Sequence, residues 1–167
     1  MSSLLQLRRD QAGRRLVAQI APGRKREAGT VLAFDFGEKR IGVAVGNTEL
    51  RLAHPLAPIS HRSRDECYTG IAQRIHEWQP LMLVVGLPVH ADGTEHELTR
   101  KCRRFARRLE GRFGIETTLM DERHTSIDAS IALRNAGVGE KRQKHLVDSV
   151  AAQLILQDYF DKRDAVT

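Results

Sequence analysis

Acidic residues occur at three separate places in the sequence where carboxylates can be brought together by folding. Asp35 follows the apolar run VLAF, Asp121 and Glu122 end the run IETTLMDE, and Asp148 lies in HLVDSVAAQLIL on a face of small and apolar residues. Carboxylates that converge repel one another and raise one another's pKa values, and bound divalent cations remove that repulsion. Oxygen ligands with little support from soft ligands favour Mg²⁺ or Mn²⁺ over Zn²⁺.

Two such cations, about 3.5–4 Å apart, activate water and stabilise the leaving oxygen in phosphodiester hydrolysis. Each acid taken alone has a plainer interpretation, because helix caps and surface ion pairs also use Asp and Glu. The segment around Asp35 would equally suit an ordinary tight hairpin. The residue types and their spacing therefore leave a metal site and a structural role both open.

The elements that would position these acids follow from hydrophobic periodicity and turn residues. Prolines in the third strand place it at or near a sheet edge, and the apolar run LMLVVGLP predicts a central parallel strand. A three-strand meander followed by two parallel strands predicts an α/β fold, a mixed five-stranded sheet flanked by helices. The predicted strands are 31–36, 41–47, 52–60, 81–88 and 115–123, the predicted helices are 63–80, 95–113, 127–135 and 145–161, and a Lys/Arg-rich loop is predicted at 139–144.

Basic charge is concentrated at the N-terminus. Residues 1–28 hold seven Arg or Lys and two acidic residues, whereas the rest of the chain has 20 basic and 19 acidic residues. This difference divides the chain into a flexible basic arm, 1–28, and one globular domain, 29–167. Such an arm either tracks phosphates or is a solvated tail without a specific role. The arginines of helix 95–113 likewise either flank the acidic site or form an ordinary solvated face.

Other features limit the class of protein. Cys67 and Cys102 have neither a paired nor a metal-type spacing, which is typical of buried thiols in a reducing cytoplasm. We find no apolar run of about 18 residues and no signal-peptide core, so a cytoplasmic location without a membrane partner is predicted. Aromatic residues make up 5% of the chain, which favours contacts with a nucleic-acid backbone over stacking on bases.

Four segments, in this order, resemble the YqgF family, also called the pre-16S rRNA nuclease or Holliday-junction-resolvase-like family. They are FDFGEKRIGVAVGN, VVGLPVHADGTEHE, MDERHTSIDA and KHLVDSVAAQLILQDYF. The resemblance covers the chain from about Thr30 to Phe160 and leaves the arm outside. It implies an RNase H-like fold, which agrees with the predicted order of strands and helices.

The resemblance also implies a site. The metal-binding and catalytic acids of the family fall on Asp35, Glu122 and Asp148, with Asp121 as an alternative ligand, and Mg²⁺ or Mn²⁺ is implied in a two-metal site. Arg123 either contacts a phosphate or orients Glu122 through a salt bridge. The predicted nucleic-acid contacts are Lys39, Arg40, Arg123, Lys141, Arg142 and Lys144.

Two further positions have alternative roles. His124 stands where the family commonly has Leu or Phe, and it is either an acid–base or phosphate contact or a tolerated substitution. The segment GLPVHADGTE ends a strand and opens a helix, so its backbone N–H groups either hold a phosphate or simply continue into a helix capped by Thr94.

The function implied by the resemblance is metal-dependent hydrolysis of phosphodiester bonds in structured nucleic acid, namely processing of the 5′ end of pre-16S rRNA in ribosome biogenesis. Holliday-junction cleavage is the close alternative; it needs two active sites and hence a dimer, whereas the RNA nuclease is a monomer or a dimer. A non-catalytic RNA- or ribosome-binding factor is a third possibility, which the presence of all three motif acids disfavours. ATP binding, suggested by the likeness of DFGEKRIGVAV to a phosphate loop, is disfavoured because such ATPases use two domains.

Overall fold

The computed structural model describes residues 28–88, 94–121 and 140–166, with the side chains of the last stretch described for 149–163. The predicted arm and the predicted helix 127–135 lie outside the described residues, as do Glu122, Arg123 and His124. The division of the chain into arm and domain therefore stays a prediction.

Five strands and three helices make up the described part of the chain. They are β1 (Thr30–Asp35), β2 (Arg40–Asn47), β3 (Ala53–Ser60), α1 (Arg64–Trp78), β4 (Met82–Leu87), α2 (Glu97–Phe113), β5 (Thr117–Asp121) and α3 (Glu140–Val166). The strands form one mixed sheet in the order β3–β2–β1–β4–β5. This arrangement confirms the predicted mixed sheet, the edge position of the third strand and the central position of the apolar fourth strand.

Strand direction places several chain ends together. β1 pairs antiparallel with β2, and β2 with β3, whereas β4 lies parallel to β1 and β5. The strands β1, β3, β4 and β5 consequently run in the same direction. Their carboxyl ends lie along one side of the sheet, which we call the C-terminal edge, and ligand crevices of open α/β sheets form at such an edge.

The helix ends follow local capping rules, with two corrections to the predictions. α1 begins after Ser63, whose Oγ accepts from the N–H of Glu66 at 3.2 Å. α2 has His96 as its N-cap, so the predicted Thr94 cap is wrong. The predicted loop at 139–144 is also wrong, because α3 already begins at Glu140. The run EKRQK contains neither Gly nor Pro and consists of good helix formers, so its charges do not interrupt the helix.

None of the described helices is long and apolar enough to cross a membrane.

Alternate residues of the strands build a core on each face of the sheet. Leu32 and Phe34 of β1 pack with apolar residues of α1 and α2, on what we call the α1–α2 face. Val31 and Ala33 pack on the opposite side with apolar residues of α3, on what we call the α3 face. Both faces are covered, which explains the continuous apolar sequence of the central strands.

Candidate functional site

Asp35 is the last residue of β1 and lies at the C-terminal edge of the sheet. Alternation along the strand places it on the α3 face with Val31 and Ala33, and it is half-buried. Its register partner on β2 is Gly42, and the parallel register with β4, extended by one residue, sets Gly86 on its other side. Neither neighbouring strand therefore crowds this carboxylate with a side chain.

The turn between β1 and β2 requires glycine and is held from the side. A Cβ at Gly37 would lie 2.4 Å from the carbonyl oxygen of Arg40, so any side chain would force the turn open. The N–H of His61 donates to the carbonyl of Lys39 at 3.1 Å, and its Nε2 lies 3.2 Å from the carbonyl oxygen of Gly37. These contacts keep Lys39, which is exposed, and Arg40, which is half-buried, at the C-terminal edge beside Asp35.

Glu38, in the same turn, forms an exposed ion pair with α2. Its Oε1 lies 2.6 Å from Lys101 Nζ. The hydrogen bond and the charge of Lys101 lower the pKa of Glu38, and the same contact raises the pKa of Lys101. Glu97 adds a second carboxylate, 3.7 Å from the Lys101 ammonium. Because the groups are exposed, we expect the pair to orient the turn more than to stabilise the fold.

The direction of α3 across the sheet is defined by its contacts with β3. Ser149, which is buried, donates through Oγ to the carbonyl of Leu56 at 2.6 Å. Two turns later, Gln157 Oε1 accepts from the N–H of Ala53, at the start of β3, at 3.1 Å. α3 thus runs antiparallel to β3, and its N-terminal end lies at the C-terminal edge of the sheet.

Asp148 is the residue before Ser149 and so belongs to that end of α3. Ala151 and Ala152, one turn further along the helix, are fully buried against the sheet, and Ile155 is nearly so. The predicted small, apolar helix face is therefore confirmed. The backbone position of Asp148 lies at the same edge and on the same face of the sheet as Asp35, although its side chain is outside what the structure describes.

Asp121 ends β5 at the C-terminal edge but on the other face. Leu119 packs against the core of the α1–α2 face, and Met120 packs against the core of the α3 face. Asp121 lies two residues after Leu119 and therefore points to the α1–α2 face, whereas Asp35 lies on the α3 face. This placement argues against Asp121 as a ligand shared with Asp35 and leaves the remaining acid of the DER motif, Glu122, as the candidate.

Within the described part of the chain, no three His, Cys, Asp or Glu residues form a cluster that could hold a metal ion. That finding does not cover the set Asp35, Glu122 and Asp148, because Glu122 and the side chain of Asp148 lie outside the described residues. The assignment of these three acids stays a prediction.

Some of the basic residues predicted to contact nucleic acid lie at the C-terminal edge, and one lies outside the described residues. Lys141, Arg142 and Lys144 belong to the first turns of α3, at the end of that helix that lies at the C-terminal edge. Lys39 lies at the same edge, and Arg123 lies outside the described residues. The structure therefore brings two separate basic segments of the sequence to the edge that holds Asp35.

A buried threonine that the sequence analysis missed joins β4 to α2 at this edge. Thr99 has no exposed surface, and its hydroxyl donates to the carbonyl of Pro88, just beyond the end of β4. The same oxygen accepts from the N–H of His96, the N-cap of α2, at 3.1 Å. The signal in the sequence is a Thr three residues after the N-cap, the position from which a polar side chain reaches back to the cap backbone.

Comparison with known proteins agrees with this arrangement. The profile of a family described as "RuvX: Holliday junction resolvase" matches residues 29–162. A protein of Nitrosospira multiformis named "Putative pre-16S rRNA nuclease" is 66% identical over 140 residues, covering 84% of this chain and 93% of its own length. A protein of the same name from Nitrosomonas europaea is 57% identical, with coverage of 84% and 95%.

Solved structures show the same fold at low sequence identity. Thermus thermophilus RuvC in complex with a Holliday junction substrate has a TM-score of 0.53 and 17% identity, covering 82% of this chain and 96% of that chain. The Fowlpox virus resolvase in complex with Holliday junction DNA has a TM-score of 0.53 and 10% identity, with coverage of 80% and 98%. The RNase H-like fold and the resemblance seen in the sequence are confirmed, and the chain belongs to the RuvX family.

Proposed function

We propose that this protein is a nuclease that hydrolyses phosphodiester bonds of structured nucleic acid, and that it processes the 5′ end of pre-16S rRNA in the cytoplasm. The observation that carries the proposal is that Asp35 and the N-terminal end of α3, to which Asp148 belongs, share one edge and one face of the sheet. The family membership and the names of the relatives support the reaction and the substrate.

The donor chemistry of the proposed site suits a hard divalent cation. Asp35, Glu122 and Asp148 would hold Mg²⁺ or Mn²⁺, in a two-metal arrangement, through carboxylate oxygens. Gly42 and Gly86 leave the carboxylate of Asp35 uncrowded on both sides within the sheet, which suits a metal ligand better than a packed core position. When bound, the cations would activate water and stabilise the leaving oxygen.

The residues of the chain itself would bind and orient the substrate. Lys39 and Arg40, held by the His61 contacts, and the basic first turns of α3 would attract phosphates to the C-terminal edge. Since no exposed aromatic platform accompanies these cations in the described residues, recognition would depend on the backbone and shape of the nucleic acid more than on its bases.

Cleavage of Holliday junctions is the second candidate, favoured by the description of the family and by the fold shared with junction-bound resolvases. The same acids would serve both substrates. A resolvase must cut two strands, so this candidate requires a dimer, and the RNA nuclease does not. A protein that sediments as a monomer, both alone and with a four-way junction, would therefore rule out the resolvase.

The proposal is tested by incubating a pre-16S rRNA precursor and a four-way DNA junction with the protein in Mg²⁺, in Mn²⁺ or in EDTA. Asp148→Asn is the test variant. Asp158→Asn is its control, since Asp158 lies on the same helix in a surface pair with Lys162 at 3.0 Å. We expect metal-dependent RNA cleavage that Asp148→Asn loses and Asp158→Asn retains. Cleavage of the junction alone would favour the resolvase. RNA binding without cleavage of either substrate would refute a nuclease and indicate a non-catalytic RNA-binding factor.

A further inference from the structure

A basic groove lies between α1 and α2, on the face of the sheet opposite to Asp35. Its volume is about 350 Å³. Arg62 and Arg64 line it at the start of α1, and Lys101, Arg104 and Arg108 line it along α2. Five cationic side chains from two elements thus face one cavity, which is more than an ordinary solvated helix face requires.

The charge of this groove is almost uncompensated. Among the described residues that line it, Glu38 is the only carboxylate, and it is already paired with Lys101. Arg104 and Arg108 are exposed, and neither has an ion-pair partner within the described part of the chain. The groove therefore has free positive charge that an anionic ligand can neutralise.

Four basic residues of α2 lie in a row along one side of the helix. Lys101, Arg104, Arg108 and Arg112 follow one another at intervals of three or four residues, which places them along one stripe of the helix. The stripe is about 16 Å long at a rise of roughly 1.5 Å per residue. A strand of B-form geometry, with roughly 3.4 Å between phosphates along the axis, would present about five phosphates over this length. A linear polyanion fits the stripe better than a single small anion.

Two aromatic residues that line the groove are buried. Tyr68 and Phe105 line it, but each has at most 5% of its surface exposed. Their ring centroids are 6.5 Å apart, and Arg112 covers the Tyr68 ring at 4.1 Å. Neither of these two rings offers a free face for stacking, so the charged side chains around them would contact the nucleic-acid backbone more than its bases.

The groove reaches the edge of the sheet that holds the proposed site. α1 begins at Arg64, soon after β3 ends at Ser60, and Thr99 joins the start of α2 to Pro88, just beyond the end of β4. Both strands end at the C-terminal edge. Phe36 lines the groove and packs on the α1–α2 face, one residue after Asp35 on the α3 face. A nucleic acid that passes over this edge would meet the proposed site on one face and the basic groove on the other.

We propose that the groove between α1 and α2 binds the phosphodiester backbone of the substrate beside the scissile bond. The choice of substrate rests on the proposed function. The groove binds phosphates that flank the scissile bond and do not touch the acids. These contacts supply binding energy and position the nucleic acid across the C-terminal edge.

The test compares two double variants that remove the same charge from the same helix. Arg104→Gln/Arg108→Gln removes two of the five cations that line the groove, whereas Arg100→Gln/Arg107→Gln alters exposed arginines outside it. Affinity for a fluorescent RNA hairpin that contains the 5′ cleavage region of pre-16S rRNA is measured in EDTA over a series of salt concentrations. Each lost phosphate contact lowers the slope of log K against log[salt] by about 0.7–0.9. We expect a decrease of about 1.4–1.8 for the groove variant and less than about 0.5 for its control.

Cleavage in Mg²⁺ provides the second readout. Because the groove cations contact phosphates that flank the scissile bond and the proposed acids are unchanged, we expect the groove variant to have a higher KM and nearly the wild-type kcat. Equal changes in slope for both double variants would overturn the proposal, since net charge alone would then explain the binding. Wild-type slopes in both would also overturn it and leave the nuclease function standing. A wild-type protein that binds no RNA and no junction DNA would overturn both proposals.

Discussion

Replacing Thr99 with Val is the sharpest test of how the C-terminal edge is assembled. Val nearly preserves the volume of Thr but removes the hydroxyl, which donates to the carbonyl of Pro88 and accepts from the N–H of His96. Thr99 is completely buried, so water cannot replace the hydroxyl at its own position. The variant therefore loses two hydrogen bonds and leaves two backbone groups without this partner.

The magnitude follows from these two losses. An unsatisfied donor or acceptor costs about 1–3 kcal/mol when it is buried. Pro88 and His96 are half-buried, so water compensates them in part, and we expect the free energy of unfolding to fall by about 2–4 kcal/mol. For a chain of this size, the midpoint of thermal unfolding should decrease by about 4–16 °C.

Urea and thermal unfolding, followed by circular dichroism, measure the effect. Thr99→Ser is the matched control, because it keeps the hydroxyl and deletes one buried methyl group, at a cost of about 1 kcal/mol. Thr99→Val should be clearly less stable than Thr99→Ser, with an unchanged dependence of unfolding free energy on urea. If the Val variant is within about 0.5 kcal/mol of the wild type, the hydroxyl does not join β4 to α2 as we argue.

Three further variants and one truncation test other parts of the structure. Asp35→Asn should abolish cleavage while circular dichroism and the unfolding midpoint stay close to wild type; full activity in the folded variant would refute its role. Glu38→Gln should strengthen RNA binding at low salt in filter-binding assays, because it frees Lys101 for a phosphate; weaker binding would contradict an uncompensated groove. Gly46→Ala should lower the free energy of unfolding by about 1–3 kcal/mol in urea, since its Cβ would lie 2.6 Å from an aromatic ring of α3 and 2.8 Å from a backbone oxygen. Removal of residues 1–28 should leave cleavage intact but weaken RNA binding at low salt, and an unchanged affinity would make the arm a passive tail.

Local patterns were sufficient for most of the secondary structure. The strands β1, β2 and β4 are short apolar runs bounded by turn residues, and α1 begins at a serine cap, so neighbouring residues alone determine them. The predictions failed at helix starts. The loop predicted at 139–144 is wrong because helix propensity is compatible with charge, and a cap at Thr94 is wrong because α2 begins two residues later, after His96.

The candidate site was only partly predictable. The sequence indicated that Asp35, Glu122 and Asp148 belong together through resemblance to the family, since no local rule relates residues so far apart in the chain. The placement of Asp35 and of the backbone of Asp148 depends on strand direction and on the contacts of Ser149 and Gln157 with β3, which orient α3 so that its N-terminal end lies at the edge where β1 ends. Side chains alternate between the two faces along a strand, so the packing of Leu119 on the α1–α2 face places Asp121 on that face too. Asp35 lies on the other face, and this difference is known only from the structure.

The sequence by itself thus determined most of the elements and the family, because apolar period, caps and motifs can be recognised without the fold. The three acids remain a prediction from the family resemblance. Tertiary structure alone decided which acid faces which side of the sheet and where the cations meet. Arg62 and Arg64, at the N-terminal end of α1, precede Arg104 and Arg108 of α2 by about 40 residues. In the sequence, neither pair can be distinguished from the arginines of an ordinary solvated helix face. They share one groove because α1 and α2 pack on the same face of the sheet, and α1 begins at the edge where β3 ends.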